Sequence, residues 1–412
     1  MHSAVTRSLK VLVPAVMSLL LTASPVLAAP PSTTANAPAS GCSNRETPPP
    51  PIDTSEKPLP GKQAPAPLPV PATPQGGPRM AECDTVVPKN ALNPPDVTSA
   101  SWVLQDLDTG AVLAAKNPHA RQRPASLIKT LLALVVVTEL KPEQVISPTK
   151  EDAEQECTCV GIVAGGKYTV DQLLHGLLMH SGNDVAHTFA TALGGVDATL
   201  GKMNALAAKI GATDTRAASP SGLDAAGMST SAYDLSVVFH YAMKQPEFAK
   251  AVGTKEFQWP AMGDKPSFPV YNDNKLLGVY PGFLGGKTGF TDDARHTYVG
   301  GAARNGKRIA VVTMRGEQRP TRIVDQASKL LDYGFALEAS KAEPVGQIVY
   351  KAGTNGKAIP DPQDNSTPNA AVAAPEDRFG VVGWILTLVV ALIIVAGFTI
   401  GHFRRKAAAQ GS

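Results

Sequence analysis

The chain has 412 residues, of which 43% are hydrophobic, and a formal net charge of +3. This near balance of charge gives no basis for nucleic-acid binding or for electrostatic capture of a polyanion. Aromatic residues make up only 5% of the chain. The informative biases are local, because prolines concentrate before residue 100 and apolar residues concentrate at both ends. Length alone is compatible with two domains and does not decide their number.

The N-terminal part of the chain has an export signal followed by a proline-rich segment. Residues 1–28 have a basic start, an apolar core too short to span a bilayer comfortably and a small-residue cleavage site, which is typical of a secretory signal peptide. Residues 29–96 are rich in Pro, Ala, Thr and Ser. Such a composition buries too little apolar surface to offset its ordering entropy, so we expect a mostly disordered linker.

Residues 97–350 contain enough apolar sequence for one substantial core. Two short apolar runs around Asp108-Thr109-Gly110 predict a β-hairpin. The strongly apolar segment that begins at Ser126 and ends at Leu140 predicts a buried helix. A second helix is predicted after the capping-box pattern that starts at Thr169.

The second half of this region returns to strand patterns. A further helix is predicted over residues 184–193, and Asn305-Gly306 between two apolar runs predicts another hairpin. A last amphipathic helix follows Pro320. With strands at both ends and helices in the middle, we expect an antiparallel sheet whose first and last strands meet, covered by helices.

The C-terminal part of the chain has a membrane-anchor pattern. Residues 351–378 form a second polar linker, and residues 379–401 contain an uncharged apolar run that matches the thickness of a bilayer. The basic tail, residues 402–412, is placed in the cytoplasm by the positive-inside rule. We therefore expect a single-pass protein of the cell membrane, with everything between the two hydrophobic ends on the extracytoplasmic face.

The cysteines fit an oxidising compartment. There are four of them: Cys42, Cys83, Cys157 and Cys159. Four cysteines allow three pairings, and the sequence does not choose among them. In one of these, the Cys157-Thr158-Cys159 segment closes on itself and leaves Cys42 with Cys83. No histidine lies at ligand spacing near Cys157 and Cys159, so we expect no metal site, and no cofactor is expected.

A Ser-x-x-Lys motif, Ser126-Leu127-Ile128-Lys129, starts the first apolar helix. Residues three apart share a helix face, so the lysine amine can reach the serine hydroxyl. A serine in the first turn also lies near free backbone N–H groups, which favour a developing oxyanion. Because an ammonium cannot act as a base, the pKa of Lys129 must be lowered. The motif predicts Ser126 as a nucleophile and Lys129 as its base.

The same motif occurs a second time and shows how weak it is alone. Ser147-Pro148-Thr149-Lys150 also fits Ser-x-x-Lys, but a charged run follows it and no apolar helix does. We interpret Ser147 as a helix N-cap with proline at the first helical position. This second motif is therefore not a candidate catalytic pair.

Two further motifs contain residue types suited to acyl transfer. Ser181-Gly182-Asn183 lies between two predicted helices, where its hydroxyl can pass a proton to a leaving amine and its amide can hold Lys129. Lys287-Thr288-Gly289 offers a cation, a hydroxyl and a bare backbone to a substrate carboxylate and an extended peptide. Each of them, taken alone, is also typical of an ordinary polar loop or glycine-rich turn.

The three motifs in this order resemble the signature of the penicillin-recognising serine enzymes. Within that group, residues 97–337 are similar to the D-alanyl-D-alanine carboxypeptidases of the low-molecular-weight penicillin-binding proteins, serine peptidase family S11. The stretches 219–224, 272–277 and 330–335 resemble further segments of that family. The proline-rich linker and membrane anchor are similar to an actinobacterial version. The sequence differs from the pattern of that family in one respect, because no sizeable C-terminal β-domain is predicted after the catalytic region.

This resemblance implies an α+β fold like that of the β-lactamases and penicillin-binding transpeptidases. The expected architecture is an antiparallel five-stranded sheet flanked by helices, with an inserted helical region, and residues 97–350 would be a D,D-peptidase catalytic domain. The implied substrate is the peptidoglycan pentapeptide stem, and β-lactams are implied as acylating inhibitors.

The resemblance also implies roles for the motif residues. Ser126 would attack the D-Ala-D-Ala carbonyl while Lys129 takes its proton, and water would later release the acyl group. Ser181 would relay a proton to the departing D-alanine. Asn183 would orient Lys129 and the substrate amide.

The substrate-binding residues follow from the same resemblance. Lys287 and Thr288 would hold the terminal carboxylate, beside the bare strand at Gly289. The backbone N–H groups of Ser126 and Phe290 would form the oxyanion hole. Arg322 lies where carboxypeptidases of this group have a carboxylate-binding arginine, and a solvated helix arginine is the alternative.

Three other functions use some of these features. A class A β-lactamase shares the three motifs, but its Glu-x-x-Leu-Asn loop is not found between Asn183 and Lys287. A D,D-transpeptidase would use the same residues with an amine acceptor. A non-enzymatic sensor would need a cytoplasmic output module, whereas the predicted cytoplasmic part is only residues 402–412.

Overall fold

The computed structural model describes residues 41–58 and 60–350. The predicted signal peptide, second linker, membrane helix and basic tail lie outside these residues. None of the helices in the described part combines the length and hydrophobicity that spanning a bilayer requires.

The described region has strands near both ends of the chain and most of its helices in the middle. Its strands are β1 Thr85–Val86, β2 Ser101–Asp106, β3 Ala111–Lys116, β4 Val145–Ile146, β5 Tyr168–Thr169, β6 Glu256–Trp259, β7 Phe268–Tyr271, β8 Phe283–Thr291, β9 Arg295–Arg304, β10 Lys307–Gly316 and β11 Gly346–Gln347. Its α-helices are α1 Lys129–Glu139, α2 Lys150–Ala153, α3 Val170–Met179, α4 Asn183–Ala192, α5 Val196–Ile210, α6 Ala232–Ala242, α7 Pro246–Gly253 and α8 Ile323–Ala339. Two 3₁₀ turns, Pro78–Ala81 and Ala125–Ile128, complete the list.

The main sheet is antiparallel and contains five long strands in the order β3-β2-β10-β9-β8. The two-residue strands β1 and β11 both pair with the outer side of β3. The first and last long strands meet in the centre, where Val311 of β10 lies opposite Leu104 of β2. This confirms the predicted five-stranded core of the sheet and adds two short edge strands.

Helices cover both faces of this sheet, and the side chains of each strand alternate between them. Trp102 and Leu104 face a core shared with α8, whereas Val103 faces the larger core that contains α1 and α6. All six residues of β2 are therefore buried. A strand buried on both faces tends to contain consecutive apolar residues, as Trp102-Val103-Leu104 does here.

The local predictions for hairpins and helices are largely confirmed. The β2–β3 and β9–β10 hairpins form around the predicted turns, and Thr169 makes the expected capping box with Gln172 at the start of α3. The prediction for Ser147 is wrong. Thr149 is the N-cap of α2, because its hydroxyl and the Asp152 carboxylate form a reciprocal capping box.

The proline-rich segment differs from the prediction of disorder. Its described part, residues 41–58 and 60–96, is called the arm here, and it has defined hydrogen bonds to the domain. The Arg121 guanidinium donates to the backbone oxygens of Glu46, Leu68 and Pro69 at 2.6, 2.6 and 2.9 Å. Proline-rich backbone has few donors of its own, so donors from the domain can bind its exposed carbonyl oxygens.

The disulfide pairing is resolved by the structure. Cys42 is bonded to Cys83, which closes the arm into a loop with a sequence separation of 41. Cys157 is bonded to Cys159 across one residue. Of the three pairings that the sequence allows, this one joins the arm to itself and leaves a small covalent ring in the domain.

Candidate active site

The Ser-x-x-Lys motif lies at the junction of a 3₁₀ turn and α1. The prediction of a helix from Ser126 is correct in position, but the first turn is a 3₁₀ turn and α1 begins only at Lys129. Ala125 adopts a positive φ of 47°, and the turn that follows presents the half-buried Ser126 towards solvent. Lys129 is fully buried beneath it.

The amine of Lys129 has three close neighbours. Its Nζ lies 2.9 Å from Ser126 Oγ, 2.7 Å from Asn183 Oδ1 and 2.6 Å from the backbone oxygen of Ser221. A neutral amine has two protons, and the two carbonyl oxygens accept both of them. The remaining lone pair then faces the Ser126 hydroxyl, which is the geometry of a general base.

The electrostatic surroundings favour the neutral form of this amine. Burial is the largest cause that lowers the pKa of Lys129 well below its ordinary value, and the charge of Lys287 lowers it further. The Asp184 carboxylate acts in the opposite direction. Burial also lowers the pKa of Lys287, to about 8, against the effect of Asp273.

The backbone oxygen of Ser221 is a contact of Lys129 that sequence reasoning missed. Its position depends on Gly222, which has a φ of 90° and lies tightly against the turn before the nucleophile. A Cβ on Gly222 would lie 2.0 Å from the backbone oxygen of Ala125, so no other residue fits without a shift. The stretch 219–224 was noticed only as a family resemblance, because a backbone acceptor has no residue signature.

The Ser-x-Asn motif lies in the break between α3 and α4, as predicted. Ser181 adopts a positive φ of 62° and is 6% exposed, and its Oγ has no hydrogen-bond partner among the described residues. A buried hydroxyl left unsatisfied is costly unless a ligand or water completes it. Ser181 and Ser126 line the same cavity, which is where a relay to a leaving group must lie.

Asn183 is held by the loop that contains the small disulfide ring. Its Nδ2 donates to the backbone oxygen of Glu156 at 2.7 Å, and its backbone N–H donates to that of Thr158 at 2.7 Å. Asp184 is a second residue that sequence reasoning missed. Its buried carboxylate accepts backbone N–H groups from residues 160–162 and so holds the end of this loop.

The Lys-Thr-Gly motif lies on β8, the strand at the edge of the main sheet. A Cβ on Gly289 would lie 2.5 Å from Thr297 Oγ1 and 3.0 Å from the backbone nitrogen of Ser126. Only a glycine therefore lets the strand approach the nucleophile this closely. Phe290 follows and is 48% exposed, and the outer edge of β8 has no strand partner among the described residues.

Two cavities meet at Ser126. The α8-side cavity, about 440 Å³, contains Ser126, Ser181, Thr288 and Arg322. The Arg322 side chain is exposed, and its guanidinium binds Asp325 at 2.7 and 2.9 Å. It is a solvated arginine at the start of α8 that also lines this cavity, and its role in binding a carboxylate stays a prediction.

The arm-side cavity, about 330 Å³, lies on the other side of the nucleophile. Its lining includes Asn183, Phe290 and Ser221 from the domain and two residues of the arm, Asp53 and Ser55. All nine residues predicted for the site thus belong to one region around Ser126 and β8. The participation of the arm was not predicted.

Comparison with known proteins identifies the family to which this site belongs. The family model described as "D-alanyl-D-alanine carboxypeptidase", peptidase S11, matches residues 88–318. The chain belongs to this family. The matched residues include all three motifs and end before Arg322.

Individual relatives agree with the family match. The chain is 46% identical over 257 residues to D-alanyl-D-alanine carboxypeptidase DacB2 of Mycobacterium tuberculosis, covering 61% of this chain and 87% of that protein. It is 31% identical over 242 residues to D-alanyl-D-alanine carboxypeptidase DacF of Bacillus subtilis, covering 57% of this chain but only 62% of that one.

Solved structures of this family have the same fold. A crystal structure of D-alanyl-D-alanine carboxypeptidase from M. tuberculosis H37Rv matches with a TM-score of 0.61 and 44% identity, covering 64% of this chain and 99% of the other. The Streptomyces K15 DD-transpeptidase matches with a TM-score of 0.57 and 27% identity, covering 60% and 100%. The α+β penicillin-binding fold expected from the motifs is therefore confirmed.

Proposed function

We propose that the protein is a serine-type D-Ala-D-Ala carboxypeptidase that removes the terminal D-alanine from peptidoglycan pentapeptide stems. The family membership supports the reaction class. The observation that carries the mechanism is the buried Lys129 amine, whose two protons are engaged by Asn183 and Ser221 and whose lone pair faces Ser126 Oγ.

Acylation begins with attack of Ser126 Oγ on the carbonyl carbon between the two D-alanines, while Lys129 Nζ accepts the hydroxyl proton. The backbone N–H groups of Ser126 and Phe290 stabilise the oxyanion. As the C–N bond breaks, the proton passes through the Ser181 hydroxyl to the leaving amine. The products of this step are free D-alanine and an ester on Ser126.

Deacylation reverses the roles with water as the nucleophile. Lys129, neutral again, takes a proton from water, which attacks the ester carbonyl. The proton then returns to Ser126 Oγ as the tetrapeptide leaves.

The α8-side cavity fits the carboxylate of the terminal D-alanine. It places the Thr288 hydroxyl and the Arg322 guanidinium on the side of Ser126 where Ser181 also lies. Lys287 is buried in the middle of β8, where its Nζ donates to the backbone oxygen of Thr288 at 2.6 Å and adds positive charge next to this cavity-lining residue. A free carboxylate at this position distinguishes a carboxypeptidase substrate from an internal peptide bond.

The test is release of D-alanine from a synthetic muramyl pentapeptide by the full-length protein, together with a covalent penicillin adduct detected by mass spectrometry. Ser126→Ala is expected to abolish both. Ser147→Ala, in the second Ser-x-x-Lys sequence, is the matched control and is expected to retain both. Release or adduct formation by the Ser126→Ala variant would show that another group is the nucleophile.

The D,D-transpeptidase alternative uses the same acyl-enzyme, and the likeness to the Streptomyces K15 DD-transpeptidase structure is the observation that favours it. Adding an amine acceptor such as glycine to the assay separates the two. A carboxypeptidase yields mainly the hydrolysed peptide, whereas a transpeptidase yields the aminolysed product. Rapid release of intact enzyme from its penicillin adduct would instead favour a β-lactamase.

We also propose that the domain faces the extracytoplasmic side of the cell membrane, exported by residues 1–28 and anchored by residues 379–401. The sequence patterns at both ends and the paired cysteines support this. The full-length protein should remain in carbonate-washed membranes, and a chain ending at residue 378 should not. Recovery of the full-length protein in the soluble fraction would contradict the anchor.

A further inference from the structure

The arm is fixed to the segment that leads directly into the nucleophile. Arg123, three residues before Ser126, is 3% exposed. Its guanidinium forms a two-pronged ion pair with the Glu56 carboxylate, with Nη2 to Oε2 at 2.8 Å, and donates to the backbone oxygen of Pro49 at 2.7 Å. A buried arginine bound in this way has little freedom, so residues 49–56 have a defined place beside the active site.

The same stretch of the arm is fixed at the opposite side of the groove. The Asp293 carboxylate, in the turn between β8 and β9, accepts the backbone N–H of Ile52 at 2.5 Å and the Ser55 hydroxyl at 3.4 Å. Asp293 is 2% exposed. The arm therefore bridges from the segment before Ser126 to the end of β8, and Asp53 and Ser55 lie within this bridge.

The two cavities at Ser126 differ in charge. Among the described residues that line it, the arm-side cavity has the carboxylates of Asp53, Glu156, Asp224 and Asp292 and no lysine, arginine or histidine. The α8-side cavity instead contains one aspartate with a lysine, a histidine and Arg322. Carboxylates alone would not mark a binding site. Here they share a cavity with the nucleophile, so a donor that extends from Ser126 into this cavity lies beside them.

The direction of the substrate follows from this difference. If the terminal carboxylate lies in the α8-side cavity, as the proposed function requires, the rest of the peptide extends from Ser126 into the arm-side cavity. Asp53 is exposed there, and hydrogen bonds from Ser55 hold its pKa below the ordinary value, so it is ionised. An ammonium group on the acyl side of the donor would meet this charge.

We propose that the arm is a specificity-determining wall of the substrate groove, and that Asp53 favours donors with a cationic side chain on the acyl side of the scissile bond. This proposal rests on the proposed function. It assigns a role in substrate selection to a segment whose composition predicts only a linker.

The experiment compares two peptides that differ only in this charge. The full-length protein is assayed for D-alanine release from Nα-acetyl-L-Lys-D-Ala-D-Ala and from its Nα,Nε-diacetyl counterpart, and the ratio of the two kcat/KM values is measured. We expect the wild type to prefer the free amine and Asp53→Asn to lower the ratio about two- to five-fold, in the range of a solvent-exposed ion pair. The wild-type ratio should also fall as salt is added.

Asp96→Asn is the matched control, because Asp96 is an exposed aspartate of the same arm that does not line the cavity. The ratio of the two kcat/KM values for Asp96→Asn should equal the wild-type ratio. A wild-type ratio near 1, or an Asp53→Asn ratio equal to that of the wild type, would overturn the inference while leaving the proposed function intact. If neither peptide releases D-alanine, the proposed function itself fails.

Discussion

At the scale of single residues, the proposed mechanism makes the reactivity of Ser126 depend on the protonation state of one buried amine. Lys129 accepts the serine proton only when neutral, and two features of its surroundings promote that form: burial, and the positive charge of Lys287. The Lys-Thr-Gly lysine thus has an electrostatic effect on the Ser-x-x-Lys lysine, in addition to its proposed role near the substrate carboxylate. A change in the charge of Lys287 should therefore change the pH dependence of the enzyme.

Lys287→Gln is expected to move the acidic limb of the pH–rate profile to higher pH. Below its pKa, Lys129 is an ammonium and the enzyme is inactive, so the rate rises with pH as the proton is lost. Removing the neighbouring positive charge raises the pKa of Lys129, and a higher pH is then needed. The measurement is the second-order rate of acylation by penicillin from acid to alkaline pH, with Lys287→Arg as the charge-preserving control.

Asp184→Asn should shift the acidic limb of the pH–rate profile to lower pH, opposite to the effect of Lys287→Gln. The Asp184 carboxylate raises the pKa of Lys129, so its neutralisation lowers that pKa and extends activity to lower pH. Shifts of the same sign in the Lys287→Gln and Asp184→Asn variants would contradict this account of the lysine pair.

The Ser126–Lys129 pair was predictable because its two members are separated by a fixed helical spacing. The structure confirms their contact even though the first turn is 3₁₀. The contribution of Ser221 was not predictable from its side chain, because its backbone oxygen makes the contact. Long-range backbone contacts of this kind depend on the tertiary fold and leave no pattern in the local sequence.

At the scale of elements, β8 and the 3₁₀ turn of Ser126 are packed without space for a side chain between them. Gly289→Ala would place a methyl group 3.0 Å from the backbone nitrogen of Ser126 and 2.5 Å from Thr297 Oγ1. We expect the turn to move by a fraction of an ångström or more and the acylation rate to fall about 100-fold. Stopped-flow acylation by a chromogenic β-lactam measures this.

Gly201→Ala is the control for this substitution. Gly201 lies in α5, and a Cβ there would contact nothing within 4 Å. Alanine should therefore raise the free energy of unfolding by about 0.5–1 kcal/mol, as expected for a helix interior, and leave the acylation rate unchanged. An unchanged acylation rate in Gly289→Ala would show that the strand and the turn are not tightly coupled.

Element prediction succeeded where the signal was local. The turn at Asn305-Gly306 forces adjacent strands to pair, and the Thr169 capping box marks the start of α3, so both were identified correctly. Thr149 rather than Ser147 caps α2 because only its hydroxyl is paired reciprocally with Asp152. Pro148 misled the prediction, since proline is common at the first helical position but also common just before a cap.

At the scale of the whole molecule, the Cys42–Cys83 disulfide holds the arm as a closed loop. The double substitution Cys42→Ser, Cys83→Ser should lower the free energy of unfolding by about 4 kcal/mol, from the chain entropy released when a loop with a separation of 41 is opened. Urea unfolding of the full-length protein measures this. The matched double variant at Cys157 and Cys159, which have a sequence separation of 2, should show a smaller decrease in the free energy of unfolding. Equal losses would mean that loop entropy is not the cause.

The ordered arm was the part of the fold that the sequence did not predict. Its own composition is that of a disordered segment, and nothing in its local pattern marks its contacts. The groups that hold it, Arg121, Arg123 and Asp293, lie far along the chain from their partners. Composition describes what a segment can do alone, whereas this segment is ordered by donors and acceptors that belong to the rest of the domain.

The backbone oxygen of Ser221 has a consequence for how the site tolerates genetic change. Substitution at position 221 replaces a side chain and leaves the carbonyl group in place, so the contact with Lys129 survives there. The vulnerable position is its neighbour, Gly222, where any added Cβ meets the Ala125 backbone. Because the Ser221 side chain is buried and lines the arm-side cavity, codon 221 should vary among small residues in functional copies of the gene, while codon 222 should be nearly invariant.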